Sequence, residues 1–209
     1  MMIDALIDRL ADTLTPVRVR RPARELALLG LLALTEVTLL FALGVMRDSF
    51  GPGTATLLIW KVAAPGALAV AATLVAVGGA EPTRHRVGLG PLGIIVTFAL
   101  LTGLALFLAA PAAVSESLRP MAGLACVLAA TVFACPPALA LGLILSRAAP
   151  AQPARSAIAA AIAAGAFGTT VLGLHCPDDS MVHSLLWHPL GVLVPAIAAV
   201  FPLTRAARW

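Results

Sequence analysis

The sequence predicts an all-α polytopic membrane protein, a bundle of six transmembrane helices preceded by a short cytoplasmic amphipathic helix. Three observations lead there. The 209 residues are 60% hydrophobic and only 11% charged, against about 25% charge in an ordinary soluble domain, and mean hydropathy is +1.00. The apolar residues gather into six runs, each close to the ~20 residues that a helix needs to cross a bilayer. The charges collect between those runs, in connectors rich in Pro and Gly and too short to form domains of their own.

The first 24 residues are polar and charged, so no cleavable signal peptide is expected and this segment is expected to be retained. Within it Ile3, Leu6, Ile7, Leu10 and Leu14 recur at helical steps, while Asp4, Asp8, Arg9 and Asp12 fall elsewhere on the wheel. An amphipathic helix results, and it is expected to end before Pro16, because the residue preceding a proline avoids the α region. Such a helix can lie on lipid, pack on the bundle's own loops or dock a soluble partner. Three Asp against one Arg on the polar face disfavour an anionic lipid surface, and partner docking is the leading reading, followed by packing on the bundle.

The spans follow at Glu25 to Met46, Thr56 to Gly79, Pro91 to Ala113, Met121 to Ser146, Ala154 to Leu174 and Ser184 to Thr204. The chain thus divides into an N-terminal cytoplasmic segment (1–24), a transmembrane domain (25–204) and a cytoplasmic tail (205–209). Orientation comes from the arginines, which resist translocation. With the N-terminus inside, the inner side holds Arg9, Arg18, Arg20, Arg21, Arg24, Arg84, Arg86, Arg147, Arg155, Arg205 and Arg208, and the outer side only Arg47 and Arg119. Both termini are therefore expected in the cytoplasm. The net charge of +4 is accounted for by these basic loops, with no direct nucleic-acid partner implied. In the fifth span the Ala161-Xaa3-Gly165 spacing marks a face for close helix approach.

Two ionisable residues fall inside spans, Glu36 near the middle of the first and Lys61 near the outer end of the second. Charge there is costly. The two are expected to serve each other as a structural pair, the Lys stem reaching toward the carboxylate, or else to remain as a protonated Glu36 and a snorkelling Lys61. A proton relay through them would instead mean a small proton-coupled transporter or a membrane enzyme. No Ser/His/Asp arrangement, phosphate loop or carboxylate pair is present to support catalysis, and the protein is not expected to be an enzyme.

Cys126, Cys135 and Cys176 have neither zinc-ribbon nor CxxC spacing, so position must supply their meaning. The topology puts Cys176 at the outer end of the fifth span, Cys126 about five residues inside the outer end of the fourth, and Cys135 near mid-bilayer beside Pro136 and Pro137. On the oxidising side a disulfide can form and persist. The same corner holds His175, Asp178, Asp179, His183 and His188, sulfur, imidazole and carboxylate groups of the kind that hold zinc or heavier thiophilic metals. Small apolar packing by the cysteines is the plainer alternative.

Several of these features together resemble the NrsF-type family, six-span membrane anti-sigma factors of proteobacteria. They are the opening Asp4-Ala5-Leu6-Ile7 and Leu10-Ala11 before Pro16-Val17; Trp60-Lys61; Cys126 ten residues ahead of Pro136-Pro137; His175-Cys176-Pro177-Asp178-Asp179-Ser180 followed by Trp187; and the terminal Arg208-Trp209. The resemblance implies a bacterial inner-membrane latch that sequesters an extracytoplasmic-function sigma factor and releases it on metal or oxidative stress. It maps the sensing cysteine pair onto Cys126 and Cys176; the sensor is expected to include His175, Asp178, Asp179 and His183 around them, the last not called for by the family pattern, with Cys126, Cys176 and His175 as the metal set. Partner binding then falls to Ile3, Leu6, Ile7, Leu10, Leu14, Pro16 and Val17. No constitutive cofactor is implied, only transient heavy-metal binding. Cys135 stands where the family pattern does not ask for a cysteine.

Overall fold

The computed structural model describes residues 12, 20–46, 59–80, 93, 96, 99, 100, 103, 104, 120–148 and 150–208. These residues are helical apart from short turns and connectors, with no strand among them. Helix α1 is Pro22–Ala42; a π-helical turn, Ile59–Ala63, leads into α2, Ala64–Gly79; α3 is Pro120–Ser146, α4 Pro153–His175 and α5 Met181–Ala206. Five helices among the described residues are long and apolar enough to cross a membrane, not the six expected. The expected third span falls mostly outside the described residues, and its described positions, Gly93, Val96, Ala99, Leu100, Gly103 and Leu104, are helical. Ile3, Leu6, Ile7, Leu10, Leu14, Pro16 and Val17 also lie outside the described residues, although Asp12 is helical.

Local chemistry sets the helix ends. Pro22 occupies the first turn of α1, where its missing N–H would have had no partner. Glu25, also in that turn, suits the positive end of the helix dipole and is gripped by Arg20, whose Nε donates to Oε1 at 3.0 Å. At the other end Gly44 takes φ 67°, Gly44 N donates to Phe41 O and Val45 N to Leu40 O, both at 3.0 Å. This is a Schellman close, and a residue with a Cβ would be strained at Gly44. In the second span Pro65 has no N–H to return to the Lys61 carbonyl, and the turn carrying Lys61 is widened to π geometry.

Helix α4 is the axis of the bundle, packed against α2, α3 and α5. Fourteen of its residues are buried, ten of them Ala or Gly, so backbones approach until main-chain atoms set the limit. A Cβ on Gly165 would strike the Val192 carbonyl, and one on Gly168 would strike the Ala130 carbonyl and lie 2.9 Å from Ala134 N. Small residues are how helices gain van der Waals contact when lipid offers no hydrophobic drive, and Gly165 plays the packing part expected of it. Large apolar side chains such as Leu34, Met121, Leu128, Val132, Leu139 and Phe201 instead point outward, as a lipid-facing surface requires. Helix α3 runs unbroken through Pro136 and Pro137, tolerated in such helices because neighbouring groups re-satisfy the freed carbonyls.

The helix directions sort the charges. The seven described arginines, at 20, 21, 24, 147, 155, 205 and 208, all stand at one end of the bundle, at the start of α1 or α4 or the end of α3 or α5. The starts of α2, α3 and α5 and the end of α4 form the opposite end.

A thiol and imidazole site at one end of the bundle

Four segments converge at the end opposite the seven described arginines. Cys126 comes from the second turn of α3, Cys176 caps α4 by donating its N–H to Leu172 O at 2.7 Å, and His183 stands in the first turn of α5. Their donor atoms close a triangle: Cys126 Sγ to Cys176 Sγ 3.7 Å, Cys126 Sγ to His183 Nε2 3.4 Å and Cys176 Sγ to His183 Nε2 3.5 Å. Cys176 and His183 are 1% exposed, so this triangle is dry, with Cys126 at its more open corner. These three residues offer one ligand atom each, close enough together to hold a single metal ion.

The connector between α4 and α5 shapes the site. Asp178 Oδ1 accepts from Ser180 N at 2.8 Å, a local turn that starts α5 at Met181, one turn before the expected Ser184. The other oxygen, Asp178 Oδ2, lies 3.5 Å from His183 Nδ1, leaving Nε2 toward the sulfurs. From α2's entry, Lys61, fully buried, sends Nζ to Asp178 O at 2.8 Å, Cys176 O at 3.4 Å and Asp179 Oδ1 at 3.2 Å. Its ammonium thus ties down the whole connector. The Cys176 thiol is held below its ordinary range, first by the hydrogen bond from Cys126, then by the imidazoles of His183 and His188 and the nearby Lys61 charge, which together outweigh burial.

Two expectations are revised here, and Cys135 finds its place. Lys61 does not pair with Glu36; its Nζ is committed to the connector, and Glu36 lines a separate cavity of about 320 Å³ with Thr73, Pro137 and Phe167, its Oε2 without a hydrogen-bond partner. His175 is not brought to the sulfurs: Nδ1 meets the carbonyl of Val45, just past the Gly44 turn, and the ring packs edge-on against Phe133 at 6.0 Å. The last turn of α4 points it toward α1, whereas His183, on the next helix, faces the thiols. Cys135 is exposed, its Sγ on Thr131 O at 3.2 Å. Nine residues from Cys126 at about 100° each, it occupies the opposite side of α3.

His188, five residues after His183 on α5, is 2% exposed, with its ring centroid 6.3 Å from that of His183. Neither ring nitrogen has a hydrogen-bond partner. Trp187 beside it lies against Gly123 of α3, where any Cβ would collide with the indole; the absent side chain seats α5 close to Cys126.

The fold and the site together define a helical protein with helices long and apolar enough to cross a membrane and a soft-donor cluster at one end. Residues 10–209 match the family described as negative regulator of sigma F, and the chain belongs to that family of regulatory anti-sigma factors. A curated relative, the Anti-sigma-F factor NrsF of Caulobacter vibrioides, is 35% identical over 74 residues; the match spans 35% of this chain and 35% of the relative. No solved structure matches.

Proposed function

We propose that this protein is a six-span inner-membrane anti-sigma factor, with both termini cytoplasmic, that sequesters an extracytoplasmic-function sigma factor and releases it when Cys126 and Cys176 meet metal or oxidative stress. The observation that carries the reading is the 3.7 Å approach of the two sulfurs across α3 and α4, at the end away from the seven described arginines. By the positive-inside tendency that end is periplasmic. No constitutive cofactor and no direct nucleic-acid contact enter the mechanism.

Either stress moves helices. Forming a disulfide shortens the sulfur separation to about 2.05 Å, two electrons and two protons passing to the oxidant that constitutes the stress, so the start of α3 is drawn onto the end of α4. A thiophilic metal instead clamps α3, α4 and α5 through their donors. Each chemistry favours one packing of the bundle over another, and the inner loops with the N-terminal stripe of Ile3, Leu6, Ile7, Leu10 and Leu14, continued by Pro16 and Val17, lose their hold on the sigma factor. A proton-coupled transporter built on Glu36 and Lys61 draws less support, since the two are engaged in separate places.

The test is a reporter of the sigma factor in cells carrying Cys126→Ser with Cys176→Ser. Repression is expected to persist while induction by cadmium-class metals or oxidants disappears; normal induction would remove the sensing role. Leu6→Asp with Leu10→Asp is expected to reduce recovery of the sigma factor in pull-downs, because a docked helix cannot desolvate the new charges cheaply; undiminished recovery would move docking to the loops.

A further inference from the structure

The donor triangle has a specific size. Around a tetrahedral ion with metal–sulfur bonds of about 2.3 Å and metal–nitrogen bonds of about 2.0–2.1 Å, two sulfurs lie about 3.8 Å apart and each sulfur lies about 3.6 Å from an imidazole nitrogen. The observed edges are 3.7, 3.4 and 3.5 Å. Three donors from three helices thus already stand at the corners of one face of such a tetrahedron.

The fourth corner has a candidate. His188 lies outside that three-donor group, its ring edge-on to that of His183 at 6.3 Å and buried, with neither nitrogen in a hydrogen bond of normal geometry. An imidazole so placed bears the desolvation cost of its polar atoms with little hydrogen bonding in return, and a metal bond supplies a partner. His183 is prepared in the way metal-bound histidines are: a carboxylate, Asp178, stands behind Nδ1 and leaves Nε2 for the ion. Charge agrees as well. Among the four ligands and the ion, two thiolates, two neutral imidazoles and one divalent cation sum to zero; outside them stand the Asp178 carboxylate, 3.5 Å from His183, and the ion pair of Lys61 with Asp179.

We infer that Cys126, Cys176, His183 and His188 form a two-sulfur, two-nitrogen tetrahedral site for a divalent thiophilic cation of the zinc and cadmium class, with Asp178 as the residue that positions His183. On binding, two metal–sulfur and two metal–nitrogen bonds form and the two thiol protons leave to water. This rests on the sensing reading above and deepens it, replacing His175 by His183 and adding His188.

The test uses the full chain, purified in detergent with its thiols reduced, titrated with Co2+ and then with Zn2+ in competition. One ion per chain is expected, with the sulfur-to-cobalt charge-transfer and strong visible bands of a four-coordinate centre. His183→Ala and His188→Ala are expected to weaken binding and alter the visible bands; His188→Gln, a milder replacement, guards against misfolding. Asp178→Asn is expected to cost ~10–100-fold in affinity, and His175→Ala to leave both readouts unchanged. Wild-type affinity and spectrum in the His183 and His188 variants would overturn the ligand set. A wild-type chain that binds no ion while the double-cysteine variant is deaf to stress in cells would also overturn it, and would leave sensing to thiol oxidation. Four-donor binding together with normal induction in that variant would uphold the site and remove the sensor.

Discussion

Two places in this bundle hold polar residues among apolar helices, and they are built in opposite ways. At the thiol end, Cys126, Cys176, His183 and Lys61 arrive from four segments and meet one another or the 176–180 connector at 2.8–3.7 Å. In the middle, Glu36 stands on α1, a helix with no buried residue, at a cavity shared with α2, α3 and α4. The first is a junction whose groups constrain each other and hence the helices that carry them; the second is a side chain at a cavity, its Oε2 without a hydrogen-bond partner. Only the first has the architecture to convert local chemistry into helix motion.

The largest expected effect tests the axis on which that junction hangs. Gly168→Leu drives a side chain into the Ala130 carbonyl and Ala134 N, and is expected to cost at least about 3 kcal/mol, read as loss of monodisperse protein in detergent. Wild-type behaviour would mean that α3 and α4 are not locked there. Next comes Lys61→Met, which strips the connector of its ammonium and leaves the Asp179 carboxylate without that partner. A loss of about 3 kcal/mol is expected, a fall in thermal midpoint of roughly 6–12 °C for a chain of this size, together with faster maleimide labelling of Cys176; an unchanged midpoint would place the connector's anchor elsewhere. The smallest belongs to the other region. Glu36→Gln is expected to stay within about 0.5 kcal/mol in stability and to leave induction intact, and a larger change in either would erase the contrast between the two places.

Much of this was legible in the chain. Five of the six apolar runs, the gathering of the seven described arginines at one end and the shared level of Cys126 and Cys176 agree with the structure, because hydropathy and chain direction are local or additive properties. Helix ends were read less well. Membrane hydropathy is blind to a polar first turn such as that opening α5 behind Asp178 and Ser180, and it ran past the Gly44 close of α1. The choice between His175 and His183 was not legible, since eight residues and a helix boundary separate them and only the packed directions of α4 and α5 decide which ring meets the sulfurs. The partner of Lys61 was hidden for a similar reason: depth along the second span suggested Glu36, but the π turn before Pro65 aims the ammonium at a connector more than a hundred residues away in sequence.

By itself, then, the sequence determined that the chain folds as long apolar helices with an arginine-rich end and a cysteine-bearing end, because burial in lipid and resistance to translocation act residue by residue. The tertiary structure decided which donors form one site, because that depends on how closely glycine-lined backbones let α3, α4 and α5 approach and on where each helix end turns its side chains.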